Sequence, residues 1–321
     1  MKILVTGGTG FLGRYLVRRL LDRGHDVAIM GRDFAPVQDL IARGARPVSV
    51  DLRDHSAVQA ACAGKEALFH VGAKSEPWGK HADFHAVNVG GTLAVVSGCR
   101  IHGVRRLIYV SSPSVVFDGT DQIDASETTP YPARFASVYS LTKKLGEDAV
   151  NAARGEMETV IVRPKAIFVP GDRALLPRLI AAARRRRLPQ IGDGKNLVDL
   201  TYVENVAQAL VLALESPTAA GRTYTITNDE HPALWDLIRE ALRSQHLSTQ
   251  LRRIPLGVAL AVATAMEAVA TVTGREPTLT RYSALILART QTYDITAAKR
   301  DLGYTPPVPL SKGIACTLDA L

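Results

Sequence analysis

The feature that most constrains this chain is the segment Gly7-Gly8-Thr9-Gly10-Phe11-Leu12-Gly13. It follows the apolar run Lys2-Ile3-Leu4-Val5-Thr6 and opens an amphipathic stretch over residues 11–23. The run reads as a buried strand and the stretch as a helix. Between such elements, glycines at the spacing GxxGxxG have separate tasks. Gly7 permits a tight turn, Gly10 lets backbone approach a pyrophosphate, and Gly13 lets the helix pack closely. The helix N-terminus then faces negative charge, and Thr9, Phe11 and Leu12 belong to the same phosphate loop. A glycine turn without a ligand is the plainer alternative.

Short β-rich runs at residues 27–30, 47–50, 67–70, 107–111 and 159–163 alternate with helical patterns at 56–63, 84–102 and 138–154. Several of the runs are almost continuously apolar, as parallel strands buried on both faces are. The alternation predicts an α/β fold, a doubly wound parallel-sheet Rossmann domain. After Pro164 the rhythm changes. A strand–helix pair at 197–201 and 203–214 and a strand at 223–227 return to the sheet, and the remainder is mainly helical. A chain of 321 residues has room for two such regions. The expected division is a dinucleotide-binding domain over 1–165 with 196–228 returning to it. A smaller, mainly helical substrate-binding region then comprises 166–195 and 229–321.

Hydrophobic residues at 46% and charged residues at 22% exclude a disordered or collagen-like chain. Cys62, Cys99 and Cys316 form no CxxC pair, which argues against a metal site and a disulfide framework. A reducing cytoplasm fits that usage. Met1 leads directly into the first strand, so no signal peptide is expected. The net charge of +8 suits an anionic ligand, nucleic acid or a membrane surface, but no nucleic-acid-binding motif accompanies it. Arg184-Arg185-Arg186-Arg187 closes an Ala-rich stretch, where cations suit a helix C-terminus; contact with an anionic tail or lipid headgroup is the other reading. Residues 254–266 are uncharged but too few to span a bilayer. They suit a core or lid helix, an interfacial helix beside Arg252 and Arg253, or an apolar wall for a lipid-like substrate.

The end of the second strand bears on the nucleotide. An acid there would hold a ribose 2′-hydroxyl; this chain has Gly31-Arg32, and a guanidinium suits a 2′-phosphate. NADP is favoured over NAD, although Asp33 can partly neutralise Arg32 and a surface arginine remains the alternative. Asp51-Leu52 closes the third strand, where an acid can reach the adenine amino group or serve as a helix N-terminal acid. His70-Val71-Gly72-Ala73 closes the fourth, where small residues let backbone lie along a cofactor.

Tyr139-Ser140-Leu141-Thr142-Lys143 puts a phenol and an ammonium four residues apart on one helix face. A cation there favours the phenolate, lowers the tyrosine pKa and makes Tyr139 a usable acid and base. Ser111-Ser112 end a strand upstream, where a hydroxyl can meet a carbonyl oxygen beside that tyrosine. Ser114 and Ser140 read by default as turn and helix-surface residues.

With these motifs the chain resembles the extended short-chain dehydrogenase/reductases of the NAD-dependent epimerase/dehydratase and 3β-hydroxysteroid dehydrogenase type. The resemblance also rests on Asn88-Val89-Gly90-Gly91-Thr92, Arg163-Pro164, Pro170-Gly171-Asp172, Gly192-Asp193-Gly194 and Tyr202-Val203-Glu204-Asn205-Val206. Within that family the chain is most similar to bacterial 2-alkyl-3-oxoalkanoate reductases at Trp78-Gly79, Ser112-Pro113-Ser114-Val115, Gly274–Arg281 and Arg300-Asp301-Leu302-Gly303-Tyr304. Sterol and steroid 3β-dehydrogenases are near rivals.

The resemblance implies Ser112, Tyr139 and Lys143 as the catalytic residues. It implies cofactor contacts from Gly7, Thr9, Gly10, Phe11, Leu12, Gly13, Arg32, Asp51, Leu52, Val71, Gly72, Ala73, Asn88, Tyr139, Lys143 and Pro164. Substrate contacts are expected from Lys74, Trp78, Ser112 and Ser114; Trp78 reads equally as a loop anchor. Pro113-Ser114 stands where sugar-nucleotide dehydratases carry an Asp-Glu pair, which disfavours elimination of water. The expectation is an NADP(H)-dependent oxidoreductase acting on a 3-keto or 3-hydroxy group of an apolar small molecule. It is expected to be cytoplasmic, with peripheral membrane contact and a homodimer left open. A nucleotide-sugar epimerase and a non-catalytic dinucleotide sensor are the alternatives from other classes.

Overall fold

In a computed structural model, residues 1–171 and 175–320 are described; Asp172 of the Pro170-Gly171-Asp172 motif lies outside them. Their centre is a seven-stranded sheet in which every neighbouring pair is parallel. Across the sheet the order is Arg222–Ile226, Glu158–Pro164, Arg106–Val110, Ala67–His70, Lys2–Thr6, Asp26–Gly31 and Arg46–Ser49. The central strands are buried along nearly their whole length, which is why their sequences read as apolar runs.

Helices Phe11–Asp22 and Val203–Glu215 cover one face, where Leu16, Val17 and Leu20 share a core with Val206 and Leu210. Helices Gly91–Ile101 and Val138–Asn151 cover the other, with Val95, Cys99 and Val150 packed among Leu4, Leu68 and Leu107. The sheet is therefore doubly wound. Lys2–Thr6 lies between Ala67–His70 and Asp26–Gly31, so the chain winds outward from it in both directions. A crevice for a ligand opens beyond the C-terminal ends of strands at such a switch point.

A second, smaller core gathers Trp235, Ile238, Leu242, Val198, Ala284 and Leu287. Helices Leu234–Ser244, Leu256–Thr273 and Arg281–Ala288 form it with the paired short strands Gln190–Ile191 and Arg253–Ile254. Three details depart from the sequence expectation. Of residues 197–201, Leu197 and Val198 form only isolated bridges and Thr201 alone enters a paired strand, Thr201–Tyr202, while the Asp199 carboxylate is turned inward to His231 and the Tyr293 N–H. Ile295, Ala298, Leu302 and Tyr304 pack into the core of the main sheet, beside its edge strand Arg222–Ile226, rather than into the second region. Leu256–Thr273 is only partly a core helix: Ala259, Ala263 and Ala270 are buried along it and Leu256 and Leu260 pack on the second core, but Val258, Val262, Met266, Val269 and Val272 are exposed.

Candidate active site

The glycine loop is built by contact as much as by conformation. Gly7 has φ +65°, and a Cβ there would stand 2.6 Å from Gly72 Cα. A Cβ on Gly13 would stand 2.3 Å from the Gly7 carbonyl oxygen. The loops after the first and fourth strands therefore touch backbone to backbone, and the helix starts directly beneath them. No side chain caps that helix at Gly10, so its first N–H groups point to the crevice unpartnered by a cap. Gly31 is held small in the same way, since a Cβ on it would come 2.8 Å from the Thr9 side chain. Such a cradle fits the diphosphate of a dinucleotide. Phe11 is half-exposed at its rim, whereas Leu12 is buried.

A buried relay fixes the floor. Thr6 Oγ1 lies 2.7 Å from His70 Nδ1, His70 Nε2 lies 3.0 Å from Thr92 Oγ1, and the Gly72 N–H donates to Thr6 Oγ1 at 3.1 Å. Burial pushes the His70 imidazole down to about 3, with Lys143 acting in the same direction, so the ring is neutral. The helix expected over 84–102 is interrupted by a π-helical turn, His85–Gly90. Such turns concentrate at functional sites, and this one turns Asn88 inward. Its amide oxygen accepts the Lys74 N–H at 2.8 Å, and its amide nitrogen donates to the Lys74 carbonyl and to Thr142 Oγ1, each at 3.0 Å. Asn88 thereby ties the loop after the fourth strand, Val71 to Lys74, to the helix bearing Tyr139. Leu52 fills the space left by Gly72 and Gly91. Pro164 closes its strand, buried opposite Ile226.

At the nucleotide end, Asp51 does not wait free for an adenine. Arg53 donates to it from its backbone N–H at 2.9 Å, from Nε at 3.0 Å and from Nη2 at 2.7 Å. Those bonds hold the carboxyl well below its ordinary range. Arg32 Nη1 stands 3.5 Å from the same carboxylate, with 74% of its side chain exposed. Asp33, which the sequence offered as a neutraliser of Arg32, instead accepts the Ala35 N–H at 3.0 Å. Two guanidiniums, Arg32 and Arg53, thus flank the end of the second strand. The sequence reading missed Arg53, although its place two residues after Asp51 was the available signal.

The catalytic candidates come together at the C-terminal edge of Arg106–Val110. Ser112 starts the short helical turn Pro113–Val116, its Oγ accepting the Ser114 N–H at 3.2 Å. Tyr139 and Lys143 lie one turn apart on Val138–Asn151, a helix capped at Ser137. Burial raises the Tyr139 phenol above its ordinary value, with Tyr282 adding to the rise, while the neighbouring Ser112 hydroxyl pulls it back. The expected lowering by Lys143 is not part of this balance, which burial, Tyr282 and Ser112 set between them. Lys143 is 2% exposed, and its ammonium sits 3.9 Å over the Tyr109 ring. Burial pushes it down to about 7, with Glu147 opposing. Glu147 and Arg163 form a buried pair through two bonds of 2.8 and 2.6 Å, which lock this helix to Glu158–Pro164. Arg163 is thus a clamp, and so is Tyr131, whose hydroxyl donates to Glu147 at 2.6 Å.

Tyr282 was not anticipated. It comes from the far C-terminal helix Arg281–Ala288 and packs edge-on to Phe117 with ring centroids 6.4 Å apart. Burial pushes its phenol up to about 12, and the nearby Ser114 hydroxyl lowers it. Ser114 Oγ is itself buried without a well-formed hydrogen bond. Ser112, Ser114, Tyr139 and Tyr282 therefore enclose one polar spot. Lys74 is held aside, its ammonium paired with Glu76 and 5.2 Å over the Phe84 ring, while Trp78 is half-buried in the loop that follows. Lys165, outside this group, is also buried; it donates to Gln291 Oε1 at 2.6 Å, and burial pushes it down to about 8. Among the described residues no cluster of His, Cys, Asp and Glu is arranged to hold a metal ion.

The sequence profile of the 3-beta hydroxysteroid dehydrogenase/isomerase family matches residues 4–256. The chain belongs to this family. It is 38% identical to the 2-alkyl-3-oxoalkanoate reductase of Stenotrophomonas maltophilia, over 98% of this chain and 97% of that one. It is 34% identical to the decarboxylating sterol-4-alpha-carboxylate 3-dehydrogenase of Mus musculus, over 99% of this chain and 90% of that one. Its fold is similar to that of a UDP-glucuronic acid 4-epimerase from Bacillus cereus solved in complex with NAD. The TM-score is 0.78, with 22% identity and coverage of 100% of this chain and 98% of that one. As a member of the family the chain is an NAD(P)-dependent oxidoreductase acting on CH–OH groups. The glycine cradle and the uncapped helix end are what a nicotinamide dinucleotide requires.

Proposed function

We propose that this family member is an NADP(H)-dependent reductase that interconverts a 3-keto and a 3-hydroxy group on an apolar, lipid-like substrate of the 2-alkyl-3-oxoalkanoate type. The observation that carries the reading is the convergence of Ser112, Tyr139 and Lys143 at one end of the sheet, beside the glycine cradle. The bound nucleotide supplies the hydride to the carbonyl carbon. Tyr139 Oη gives its proton to the carbonyl oxygen. Ser112 Oγ donates a hydrogen bond to the same oxygen and holds the charge that develops there. Lys143 binds ribose hydroxyls, which restores polar company to its buried ammonium and favours the Tyr139 phenolate as the proton leaves. In the oxidative direction Tyr139 accepts the proton.

Arg32 and Arg53 take a 2′-phosphate between them, and Asp51 holds the pair in place. Phe11, Val71, Ala73 and Pro164 lie along the nucleotide. Ser114 and Tyr282 face the substrate, with Lys74 and Trp78 at the mouth. A sugar epimerase is less well supported, because the likeness to epimerases at 22% identity is one of fold. Sterol 3β-dehydrogenation is the second reading, favoured by the 34% identity to the mouse sterol-4-alpha-carboxylate 3-dehydrogenase.

Consumption of NADPH and of NADH is measured with 2-alkyl-3-oxoalkanoates, 3-keto-steroids and UDP-sugars. Fastest turnover of the branched 3-keto acids with NADPH supports the proposal. Turnover of 3-keto-steroids alone moves the assignment to the second reading, and epimerisation of UDP-sugars without net NADPH use overturns both.

A further inference from the structure

Lys165 is a buried cation that touches no anion among the described residues. It follows Pro164 at the end of the strand Glu158–Pro164, and its backbone is pinned from both sides. Its N–H donates to the Ile226 carbonyl at 3.0 Å, and its carbonyl accepts the Thr201 hydroxyl at 2.6 Å. The residue is 7% exposed. Among the described residues its ammonium has a single hydrogen-bond acceptor, Gln291 Oε1 at 2.6 Å, and it lies 5.4 Å from the centre of the Tyr293 ring. An ammonium carries three donors, so its capacity is not filled.

The carboxylate that acts on it, Asp199, is committed elsewhere. One oxygen pairs with His231 Nδ1, and the other accepts the Tyr293 N–H at 2.9 Å. Burial pushes the Lys165 amine down to about 8, with Asp199 opposing. A buried charge short of a partner is costly, and a methionine would fill the same space without that cost.

A second donor lacks a partner beside it. Gln291 is 1% exposed; its amide oxygen is taken by Lys165, and its amide Nε2 has no acceptor. Both groups lie against the catalytic turn. The Ser111 N–H donates to the Val162 carbonyl at 2.7 Å, so the strand ends that lead to Ser112 and to Lys165 run in step. Tyr293, under the Lys165 ammonium, packs with Val115 and Val116 of the turn Pro113–Val116, which Ser112 starts and which carries Ser114. Two convergent buried donors with no acceptor left between them describe a place for an anion.

We propose that Lys165 and Gln291 bind the carboxylate of the substrate, so that the chain selects 3-keto and 3-hydroxy acids over their esters. The assignment rests on the 3-keto and 3-hydroxy chemistry proposed for this chain. In such an acid one carbon separates the carboxylate from the carbonyl. Its subsite therefore has to adjoin Ser112 and Tyr139, as the Lys165 side of the turn does. The ammonium donates to one carboxylate oxygen and gains the counter-charge it lacks, while Gln291 Nε2 donates to the other. An ester offers only a neutral acceptor and leaves the ammonium unpaired.

Oxidation of 2-alkyl-3-hydroxyalkanoates and of their methyl esters by NADP is measured, since the hydroxy acids do not lose carbon dioxide as 3-keto acids do. The wild type should prefer the acid. Lys165→Met should lower kcat/KM for the acid roughly 10- to 100-fold, mainly through KM, the range of a charge-assisted hydrogen bond. It should change the ester far less. Lys165→Arg keeps a cation and should recover part of the preference. Gln291→Glu gives Lys165 a resident carboxylate and should raise KM for the acid without removing the lysine, which tests the subsite by a second route. A melting temperature no lower than that of the wild type excludes misfolding in each case. Three results overturn the assignment and leave the reductase reading standing. These are equal kcat/KM for acid and ester in the wild type, equal losses on both in Lys165→Met, or a loss of NADPH affinity in Lys165→Met as large as the loss on the acid. The last gives the amine to the nicotinamide carboxamide. A wild type that oxidises neither acid nor ester overturns the reductase reading and the assignment together.

Discussion

A Cβ on Gly146 would stand 2.1 Å from the Tyr109 hydroxyl. The helix that carries Tyr139 and Lys143 therefore rests directly on the strand that leads to Ser112, with Gly146 as the point of contact. The same closeness puts the Lys143 ammonium 3.9 Å over the Tyr109 ring.

Gly146→Ala should accordingly act at a distance. Tyr109 is fully buried and cannot swing away, so the helix must lift. Overpacking of this kind costs about 1–3 kcal/mol of stability. Turnover should fall by more than the stability loss explains, because Tyr139 and Lys143 move together. Thermal melting and kcat measured on one preparation test this; a Gly146→Ala enzyme with unchanged kcat means that the contact does not set the catalytic geometry.

Gly146 also marks how far the sequence could be read. The glycine loop, the alternation of strands and helices, and the pairing of Tyr139 with Lys143 are local patterns whose periods survive in the linear order. The Tyr109–Gly146 contact joins positions far apart, and a glycine within a helix carries no sign of what leans on it. Tyr282 was hidden for the same reason, since only packing of the C-terminal helix brings it to Ser114. The helix Leu256–Thr273 was legible as apolar but not in its facing: alanines and valines alternate around it so evenly that neither side declares itself as the core. Asn88 was legible as a motif, but not the π-helical turn that aims it.

Nucleotide choice should depend on two arginines rather than one. Arg32→Ala and Arg53→Ala should each weaken NADPH binding by roughly tenfold or more, the range of a charge-assisted hydrogen bond, with NADH binding little changed. Arg53→Ala also releases the Asp51 carboxylate from its bidentate partner, leaving a negative charge near the phosphate site, so it should be the more harmful. Fluorescence titration with both nucleotides distinguishes the cases. A wild type that prefers NADH contradicts the assignment of both residues.

Two tyrosines near one carbonyl site should separate kinetically. Tyr139→Phe removes the proton donor and should lower kcat by about 10²–10⁴-fold while cofactor affinity is kept. Tyr282→Phe keeps the ring against Phe117 and removes only a hydroxyl facing Ser114. It should raise KM several-fold, the worth of about 0.5–1.5 kcal/mol for one hydrogen bond, with a smaller effect on kcat. If Tyr282→Phe instead matches Tyr139→Phe in kcat, Tyr282 is itself the proton donor and the roles are exchanged.

Two buried amines give the nucleotide-free protein a pH signature. Burial pushes Lys143 down to about 7 and Lys165 to about 8, while in the unfolded chain both return to the ordinary lysine range. Between those limits the unfolded chain holds protons that the folded one lacks, so unfolding takes up protons and stability rises with pH. The contribution is fully present above the unfolded pKa and is lost as pH falls through the folded values. From about pH 7 to about pH 9 the melting temperature should therefore climb, below the range in which the buried tyrosines ionise. Lys143→Met fills the same space without a charge and should raise the melting temperature at neutral pH. It should also flatten part of the climb, Lys165 supplying the remainder. The amine held near 7 also predicts that protonated Lys143 binds ribose hydroxyls and is favoured by the nucleotide, so saturating NADPH should reduce the slope. Melting curves across this pH range, for the wild type and the Lys143→Met variant with and without NADPH, decide the point. A slope that Lys143→Met leaves untouched means that the ammonium over Tyr109 is not the group being titrated.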